Sequence, residues 1–315
     1  MPNYQLPTSV GIELEVNNLT SNINDDVALV KRTMEQRVAD FSSVEGRPLQ
    51  WVIKQDGSCG TSSGPGVEVN SGVFLDSGNL EKSVRAMCKL LSDLHFTANH
   101  RCGFHVHIGV TQLNRAQTAK FAKFLARHEA AFYMLDPTRQ SVSYCAPLTE
   151  PIMQGINHGD GWGAWTGRYH WINGQSYPSH GTLEFRLMTG TIDPEQVLGW
   201  VAFILHTYQE IAAPDCRSVG GPIQQVPLTG QHIRIFETLL DEVGLSKKST
   251  ELTNPLSVAA RKWAASRFNA LNTSNIIDQI RTERRRRRLA AWQGIELYKP
   301  IFNDEAILSS VIQDA

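Results

Sequence analysis

The sequence predicts an α+β protein, in which an antiparallel sheet with helices on its outer face is followed by a helical C-terminal part. Three observations support this fold class. Between residues 8 and 192, short segments alternate apolar and polar residues, as half-buried strands do. Longer segments between them repeat apolar residues about every 3.6 positions, as amphipathic helices do. From Asp193 onward no strand pattern is convincing, so the remainder is interpreted as helical.

Six segments predict the strands of the sheet. In the stretch GIELEV at 11–16, apolar residues alternate with Glu13 and Glu15, and in CGFHVHIGV at 102–110 they alternate with His105 and His107. The stretch LQWVIKQDGS at 49–58 is expected to run from a strand into a turn. The predicted strands are 8–17, 49–58, 67–74, 102–110, 168–173 and 182–188.

Helical patterns fill most of the chain between and after these strands. Asn114 has a side chain suited to cap a helix N-terminus, and it opens a pattern that continues to about residue 134. The apolar stretch VLGWVAFIL at 197–205 is too short for a membrane span and predicts a buried helix. Residues 137–166, rich in Pro, Gly, Thr and Ser, are expected to form a loop. The predicted helices are 24–43, 79–95, 114–134, 194–213, 230–243, 254–271 and 273–293.

Composition narrows the class of protein. The chain of 315 residues is 41% hydrophobic and 19% charged, which is typical of soluble globular proteins. Its net charge of −1 gives no overall field that would favour nucleic acid or a membrane. The five cysteines are odd in number and include no CxxC pair, which favours reduced thiols. Because the first ten residues also lack the features of a signal peptide, we expect a cytoplasmic protein.

One face of the predicted sheet gathers an unusual set of side chains. Glu13 and Glu15 lie on the same side of their strand, about 6.7 Å apart. At an effective dielectric constant of ~20 their charges repel by roughly 2.5 kcal/mol. The other predicted strands add acids, imidazoles and an arginine to the same face. The full set is Glu13, Glu15, Glu68, His105, His107, Glu184 and Arg186.

This face predicts a site for divalent cations. A single E-x-E or H-x-H pattern usually marks only a solvated face, but such faces normally include lysine, and the segments 67–69, 104–108 and 183–187 offer none. Several carboxylates with one or two imidazoles suit Mg²⁺ or Mn²⁺. A zinc site would recruit Cys102 with the two histidines, but no second Cys or His pair stands at zinc spacing. Cys102 is therefore interpreted as a small buried residue.

Two arginines suggest that a phosphate binds beside the cations. Arg186 follows Glu184 on the same predicted face, and Arg168 opens the preceding predicted strand. The planar fork of donors on a guanidinium suits phosphate, although either arginine could instead form a salt bridge to a neighbouring glutamate. The small residues of the loop at 59–66 are compatible with nucleotide phosphates, but they match neither GxxxxGK[ST] nor GxGxxG.

The ordered set GIELEV, WVIKQDGS, PGVEV, CGFHVHIG and RYHWIN followed by GTLEFRLMTGT resembles the putative amidoligase family. That family belongs to the carboxylate–amine ligases that resemble glutamine synthetase and glutamate–cysteine ligase. The resemblance spans residues 8–192 and implies a glutamine-synthetase-like curved antiparallel sheet in a catalytic core at 1–192. Residues 193–315 would then be a helical region that completes or flanks that core.

The resemblance also implies a reaction and the roles of individual residues. ATP, with Mg²⁺ or Mn²⁺, would phosphorylate a carboxylate of an amino acid or peptide, and an amine would attack the resulting acyl phosphate. A homo-oligomer is compatible with such ligases. The implied metal ligands are Glu13, Glu15, Glu68, His105 and Glu184. The implied catalytic and phosphate-contacting residues are His107, Arg168 and Arg186, and Asn173 is assigned to cofactor or substrate binding.

Several alternatives stay open at this point. The same sheet could serve a metal-dependent phosphotransferase similar to guanidino kinases, or a non-catalytic nucleotide- or peptide-binding protein. Asp56 and Ser58 match a D-G-S element without a firm role and could simply cap a turn. Trp51, Trp162, Trp165 or Tyr169 could stack a base. The run ERRRRR at 283–288 is either a solvated charged helix or a surface that captures an anionic partner.

Overall fold

The computed structural model describes most of the N-terminal two thirds of the chain and two later helical segments. The described residues are 3–17, 27–28, 32–33, 51–59, 66–99, 101–136, 139, 142–212, 232–246 and 252–273. Three predicted segments lie largely or wholly outside these ranges: the helix at 273–293 beyond its first residue, the arginine run, and nearly all of the helix at 24–43. Residues 60–65 of the predicted small-residue loop also lie outside them.

An open, antiparallel sheet of seven strands forms the centre of the described structure. Along the sheet the strands follow the order β2-β3-β1-β5-β7-β6, and the short β4 pairs with the first part of β1. The long β1 therefore lies at the middle of the sheet, between β3 and β5. The strands are β1 (Gln5–Asn17), β2 (Val52–Gln55), β3 (Gly66–Asn70), β4 (Phe74–Asp76), β5 (Gly103–Gly109), β6 (Ile172–Asn173) and β7 (Thr182–Thr189).

Eight α-helices are present among the described residues, and they confirm the predicted α+β class. The capping prediction for Asn114 is also confirmed, because its side chain accepts from the backbone N–H of Gln117 and Gln117 returns the contact. The helices are α1 (Ser77–Asp93), α2 (Arg115–Arg127), α3 (Glu129–Phe132), α4 (Glu150–His158), α5 (Ser176–His180), α6 (Pro194–Ala212), α7 (His232–Glu242) and α8 (Pro255–Thr273).

The two faces of the sheet differ as the alternation predicts. Apolar residues of the central strands, such as Leu14, Val106 and Leu183, are fully buried in a single core with the helices. Helix α6 contacts β1 and β5 and is buried along most of its surface between the sheet and α8. Gly199 allows α8 to approach closely, because a Cβ there would collide with the Trp263 ring. The stretch at 197–205 is thus a buried helix, as predicted.

Two local predictions are wrong. The segment predicted as a strand at 168–173 forms a strand only at Ile172–Asn173, and Arg168 lies in the preceding bend. The segment predicted as a loop at 137–166 contains α4 and two short 3₁₀ turns. Helix α4 is only 9 residues long and carries Pro151 at its start, so its helical period was too short to stand out.

The remaining features of the chain concern cysteines and membrane segments. Four cysteines lie in the described part and are free and buried: Cys59, Cys88, Cys102 and Cys145. Among the helices that the structure describes, none has the length and apolar character that crossing a membrane would require.

Candidate active site

Strand register places the acidic residues of β1 beside partners from both neighbouring strands. Glu15 lies directly opposite Glu68 on β3, and Glu13 lies directly opposite His105 on β5. Directly opposed residues project from the same face of a sheet and have Cβ atoms about 5 Å apart. The polar face of three adjacent strands is therefore continuous from Glu68 to His105.

The same row continues across β7 and β6. His107 lies opposite Glu184, which in turn lies opposite Asn173. The pairing of β5 with β7 shifts register between Phe104 and Val106, where β7 carries an extra residue. Arg186 lies at this irregularity, where its guanidinium donates to Glu184 Oε1 and to the backbone carbonyl of Tyr144.

A cavity of about 670 Å³ covers this polar face. All nine predicted site residues line it, including Arg168, which lies outside the sheet. Other parts of the wall come from the turn after β2, from the 3₁₀ turn at Ser143–Cys145 and from helix α5. The lining residues that sequence reasoning did not assign to the site are Ser143, Tyr144, Gln175, Ser176, Ser179 and His180.

Two groups of side chains in this cavity have the spacing to hold a cation each. Glu13, His107 and Glu184 form the first group, and Glu15, Asp56 and Glu68 form the second. Within each group the ligand atoms all lie within 4.8 Å of one another. Neither group contains a cysteine, and Cys102 is a fully buried residue, as predicted.

Asp56 joins the second group from a turn rather than from a strand. Its Oδ1 accepts from the backbone N–H of Ser58 at 2.7 Å, which closes the turn that follows β2. The turn-capping interpretation of the D-G-S element is therefore confirmed. The same turn also brings the Asp56 carboxylate to Glu15 and Glu68, which the sequence did not reveal.

Each carboxylate of the site is held by a donor from the protein. Glu15 accepts from the backbone N–H of Gly103 at 2.5 Å, and Glu68 accepts from Asn70 at 2.7 Å. Glu184 accepts from the amide of Asn173 at 2.6 Å. Because the Asn173 oxygen also accepts from the backbone N–H of Gln175, both ends of this amide have partners inside the protein.

The residues of the first half of the chain match a known family. Residues 6–160 match the family model described as "Putative amidoligase enzyme". This stretch belongs to the putative amidoligase family. A comparison with curated proteins finds no match to the chain. The amidoligase stretch includes β1 to β5 and so carries both glutamates of β1, Asp56, Glu68 and both histidines.

The remaining site residues lie after the matched amidoligase stretch. Arg168, Asn173, Glu184 and Arg186 reach the cavity because β7 pairs with β5 and β6 pairs with β7. The structure therefore joins the amidoligase stretch and the following segment in one sheet and one site.

The pKa values in this cavity reflect carboxylates packed around imidazoles. Burial alone would raise the pKa of Glu13, but its interactions with His105 and His107 outweigh burial and lower it. Burial raises the pKa of Glu68, and the nearby charge of Glu13 raises it further. Burial opposes ionisation of Glu184 as well, yet the charges of His105 and Arg186 hold its pKa below the ordinary value. The positive groups of this face are thus engaged in balancing its carboxylates.

A third guanidinium, which sequence reasoning missed, lies beneath the site. Arg139 is 1% exposed and donates to the backbone carbonyls of Cys102 and Arg186. It also lies over the ring of Tyr144, 5.4 Å from the ring centroid. Arg139 ties the start of β5 to β7, and its charge faces the acidic cluster from below.

Of the four aromatic residues proposed to stack a base, the structure places one at the cavity and three elsewhere. Trp162 and Trp165 are buried, and Trp51 packs on Phe74 and donates to Ser83. Of the four, Tyr169 lines the cavity, with 51% of its surface exposed. The Arg168 guanidinium lies 5.0 Å from its ring centroid, and both residues form the rim of the cavity.

The donor set fits divalent cations. Each group offers carboxylate oxygens, which Mg²⁺ and Mn²⁺ prefer, and the first adds one imidazole. The Nε2 atoms of His107 and His105 are both buried without a hydrogen-bond partner, and they lie 3.2 Å from Glu13 Oε1 and 3.6 Å from Glu15 Oε1, respectively. Buried polar atoms normally have a hydrogen-bond partner. A nitrogen that binds a cation has the cation as its partner, so it has none within the protein itself.

Proposed function

We propose that this chain is an ATP- and Mg²⁺-dependent carboxylate–amine ligase that forms an amide through an acyl phosphate on an amino acid or peptide. The observation that carries the proposal is the pairing of two carboxylate groups with Arg186 around one cavity, in a chain whose residues 6–160 belong to the amidoligase family. The antiparallel sheet, with one face on helices and the other on the cavity, supports a glutamine-synthetase-like catalytic core at 1–192. Helices α6 and α8 would complete this core from the C-terminal region.

In this proposal the two groups hold Mg²⁺ or Mn²⁺. Glu13, His107 and Glu184 would hold one cation, and Glu15, Asp56 and Glu68 would hold the other. The cations would neutralise the phosphates of ATP and the charge that develops as the γ-phosphoryl group moves. Mutual repulsion among the carboxylates would fall at the same time.

The protein's own residues position the reactants. Arg186 lies next to Glu184 and would contact the γ-phosphoryl group with the remaining part of its guanidinium fork. Arg168 and Tyr169 at the rim would contact the outer phosphates and the adenine ring. Asn173 would hold Glu184 rather than contact ATP, because both ends of its amide are engaged.

The reaction balances without a further reactant. A substrate carboxylate oxygen takes the γ-phosphoryl group, and ADP leaves. The amine nitrogen then attacks the acyl carbon, phosphate leaves, and the amine loses a proton. The products are one amide, ADP and phosphate.

Turnover of ATP with a panel of amino acids and amines tests this proposal. We expect ADP and phosphate in equal amounts, and a new amide by mass spectrometry, only when Mg²⁺ or Mn²⁺ is present. A stable phosphorylated product with no phosphate release would indicate the phosphotransferase instead. No ATP turnover with any pair, while ATP still binds, would favour the non-catalytic binding protein.

A further inference from the structure

Two cysteines from distant parts of the chain meet beside the second carboxylate group. Cys59 lies in the turn that follows β2, and Cys102 directly precedes β5. Both side chains are fully buried, and the Cys102 Sγ atom lies 3.9 Å from the backbone carbonyl oxygen of Cys59. A hydrogen bond between the two thiols raises the pKa of Cys59 and lowers that of Cys102. The proposed reaction gives neither thiol a role.

The Cys59 thiol packs against the turn that carries Asp56. Its Sγ atom lies 3.5 Å from the backbone carbonyl oxygen of Asp56 and 3.5 Å from that of Val16, at the end of β1. The carbonyl oxygen of Val67 on β3 lies 3.9 Å away. Carbonyl oxygens accept, so the reduced thiol is the donor in these contacts. The thiol therefore fastens the turn to β1 and β3, the strands that carry the other two carboxylates of the group.

Cys102 has N–H groups around its sulfur instead. Its Sγ atom accepts from the backbone N–H of Asn99 at 3.4 Å and from the side-chain amide of Asn17 at 3.5 Å. Such donors favour the thiolate, which is the reactive form of cysteine. The Asn17 amide also donates to the backbone carbonyl of Cys59 at 3.5 Å. The two cysteines are thus held together by a shared partner as well as by their own contact.

Both cysteines adjoin backbone that positions the second carboxylate group. Gly103 follows Cys102 and donates its N–H to Glu15 at 2.5 Å. Asp56 shares its turn with Cys59. A bond between the two sulfurs would therefore act on two of the three carboxylates in the group.

Packing holds Cys102 in place, whereas Cys59 belongs to a turn. A Cβ on Gly190, just after β7, would collide with the Cβ of Cys102. The Gly190 N–H also donates to the Cys102 carbonyl at 2.8 Å. Because Cys102 is enclosed in this way, a bond between the sulfurs would move the turn rather than the start of β5.

We propose that Cys59 and Cys102 are a redox modification site, in which a reversible disulfide weakens cation binding by the second carboxylate group. Formation of the disulfide is independent of the proposed function, and its effect on the cation rests on that function. Hydrogen peroxide suits this site as the oxidant because it is small, whereas a bulky disulfide reagent has no access to two fully buried sulfurs.

One equivalent of hydrogen peroxide balances the reaction. The Cys102 thiolate attacks a peroxide oxygen, the O–O bond breaks, and a sulfenic acid forms as hydroxide leaves. The Cys59 sulfur then attacks the Cys102 sulfur, and a second hydroxide leaves. The two thiol protons convert both hydroxides to water. The two sulfurs are oxidised to one disulfide, and the peroxide is reduced to two water molecules.

The new bond would displace Asp56 through its turn. A disulfide holds its sulfurs about 2.05 Å apart, which is closer than two thiols in contact. Cys59 therefore moves toward Cys102 and gives up the proton that it donates to the carbonyls of Asp56 and Val16. We expect the Asp56 carboxylate to move away from its two partner carboxylates, and the cation affinity of the group to fall by roughly 10- to 100-fold.

Peptide mapping of the full-length protein tests the disulfide without metal or turnover. Cys59 and Cys102 fall in the tryptic peptides 55–82 and 102–115, and each of the other cysteines falls in a separate peptide. After peroxide treatment and alkylation we expect these two peptides to be linked, and the link to disappear with dithiothreitol. Free or over-oxidised thiols at both positions, or a link through any other cysteine, would overturn the inference.

Mn²⁺ titration of the reduced and oxidised forms, after removal of peroxide and reductant, tests the effect on the cation. We expect one of two bound ions to bind roughly 10- to 100-fold more weakly after oxidation, and reduction to restore it. Cys59→Ser and Cys102→Ser should lose this response to peroxide. Cys88→Ser, a buried thiol on α1, is the matched control and should keep it. Unchanged Mn²⁺ affinity in the disulfide-linked wild type, which requires no variant, would overturn the proposed effect.

These results are separable from those of the ligase proposal. If the reduced protein binds no Mn²⁺, the proposed function and the effect on the cation both fail, whereas a linked peptide would still establish the disulfide. If the reduced protein forms ADP and amide but peroxide yields no linked peptide, the reaction stands and this inference fails.

Discussion

Replacement of Glu68 by glutamine should stabilise the protein without metal and weaken its response to metal. Glu68 lies within 4.8 Å of ligand atoms on both Glu15 and Asp56. Glutamine keeps a side-chain oxygen that can accept the 2.7 Å hydrogen bond from Asn70, so the change removes charge with little change in shape. The two expected effects have opposite signs, which an ordinary loss of packing would not produce.

The size of the effect follows from the spacing of the charges. Two carboxylates 4.8 Å apart repel by about 3.5 kcal/mol at an effective dielectric constant of ~20. Glu68 takes part in two such pairs. At neutral pH the total penalty on its charge cannot exceed about 3.5 kcal/mol, because a larger penalty would make the carboxylate take up a proton instead. The Lys54 ion pair lost in the change is 3.6 Å long and its lysine is 58% exposed, so it contributes less than about 1 kcal/mol. We therefore expect a net gain of about 2–3 kcal/mol in the free energy of unfolding.

Denaturant unfolding with a metal chelator, and again with millimolar Mn²⁺, measures both effects. The wild type should gain stability from Mn²⁺ because the ion binds the folded state. Glu68→Gln should start higher and gain much less. Glu150→Gln, an exposed carboxylate-to-amide change on α4, is the matched control and should behave as the wild type. A metal-free Glu68→Gln protein that is less stable than the wild type, or an undiminished gain from Mn²⁺, would refute the charge argument.

Three further results are expected. Burial raises the pKa of Glu129 to about 7, although the backbone of Leu148 and the indole of Trp171 both donate to its Oε2. Because the folded state holds this proton up to higher pH than the unfolded state, stability should fall by about 3 kcal/mol as pH rises from about 4.5 to above 7. Glu129→Gln, which keeps an acceptor oxygen, should remove that slope in denaturant titrations, and a parallel slope would contradict the assignment. Arg186→Lys should lower kcat by roughly 100-fold with little change in Mn²⁺ affinity, and an unchanged kcat would exclude a phosphoryl contact. Tyr169→Ala should raise the KM for ATP by about 10-fold with kcat retained, and an unchanged KM would remove the ring from nucleotide binding.

The faces of the strands could be predicted because strand alternation is local. The period of two places Glu13 with Glu15 and His105 with His107 regardless of what surrounds them. Arg168 was proposed as the first residue of a strand, but it lies in a bend, where strand alternation does not determine the direction of its side chain. All of these residues line the cavity.

Features that depend on turns or on distant partners could not be read from the sequence. Asp56 reaches the second carboxylate group because it lies in a turn that directs its side chain there. Turns have no sequence periodicity from which the direction of a side chain could be predicted. The Ser176 and Thr182 hydroxyls reach His107 Nδ1 only through the position of α5 and the pairing of β5 with β7, neither of which has a local sequence signal. Arg139 lies in a segment that gave no pattern at all.

The proposed function depends on divalent cations binding the acidic face of the sheet in two places. Anomalous diffraction from crystals grown with Mn²⁺ and a non-hydrolysable ATP analogue tests it most directly. We expect two peaks, one bounded by Glu13, His107 and Glu184 and the other by Glu15, Asp56 and Glu68, with the phosphates between them and Arg186. Crystals that show the analogue in the cavity but no anomalous peak within coordination distance of these carboxylates would contradict the account.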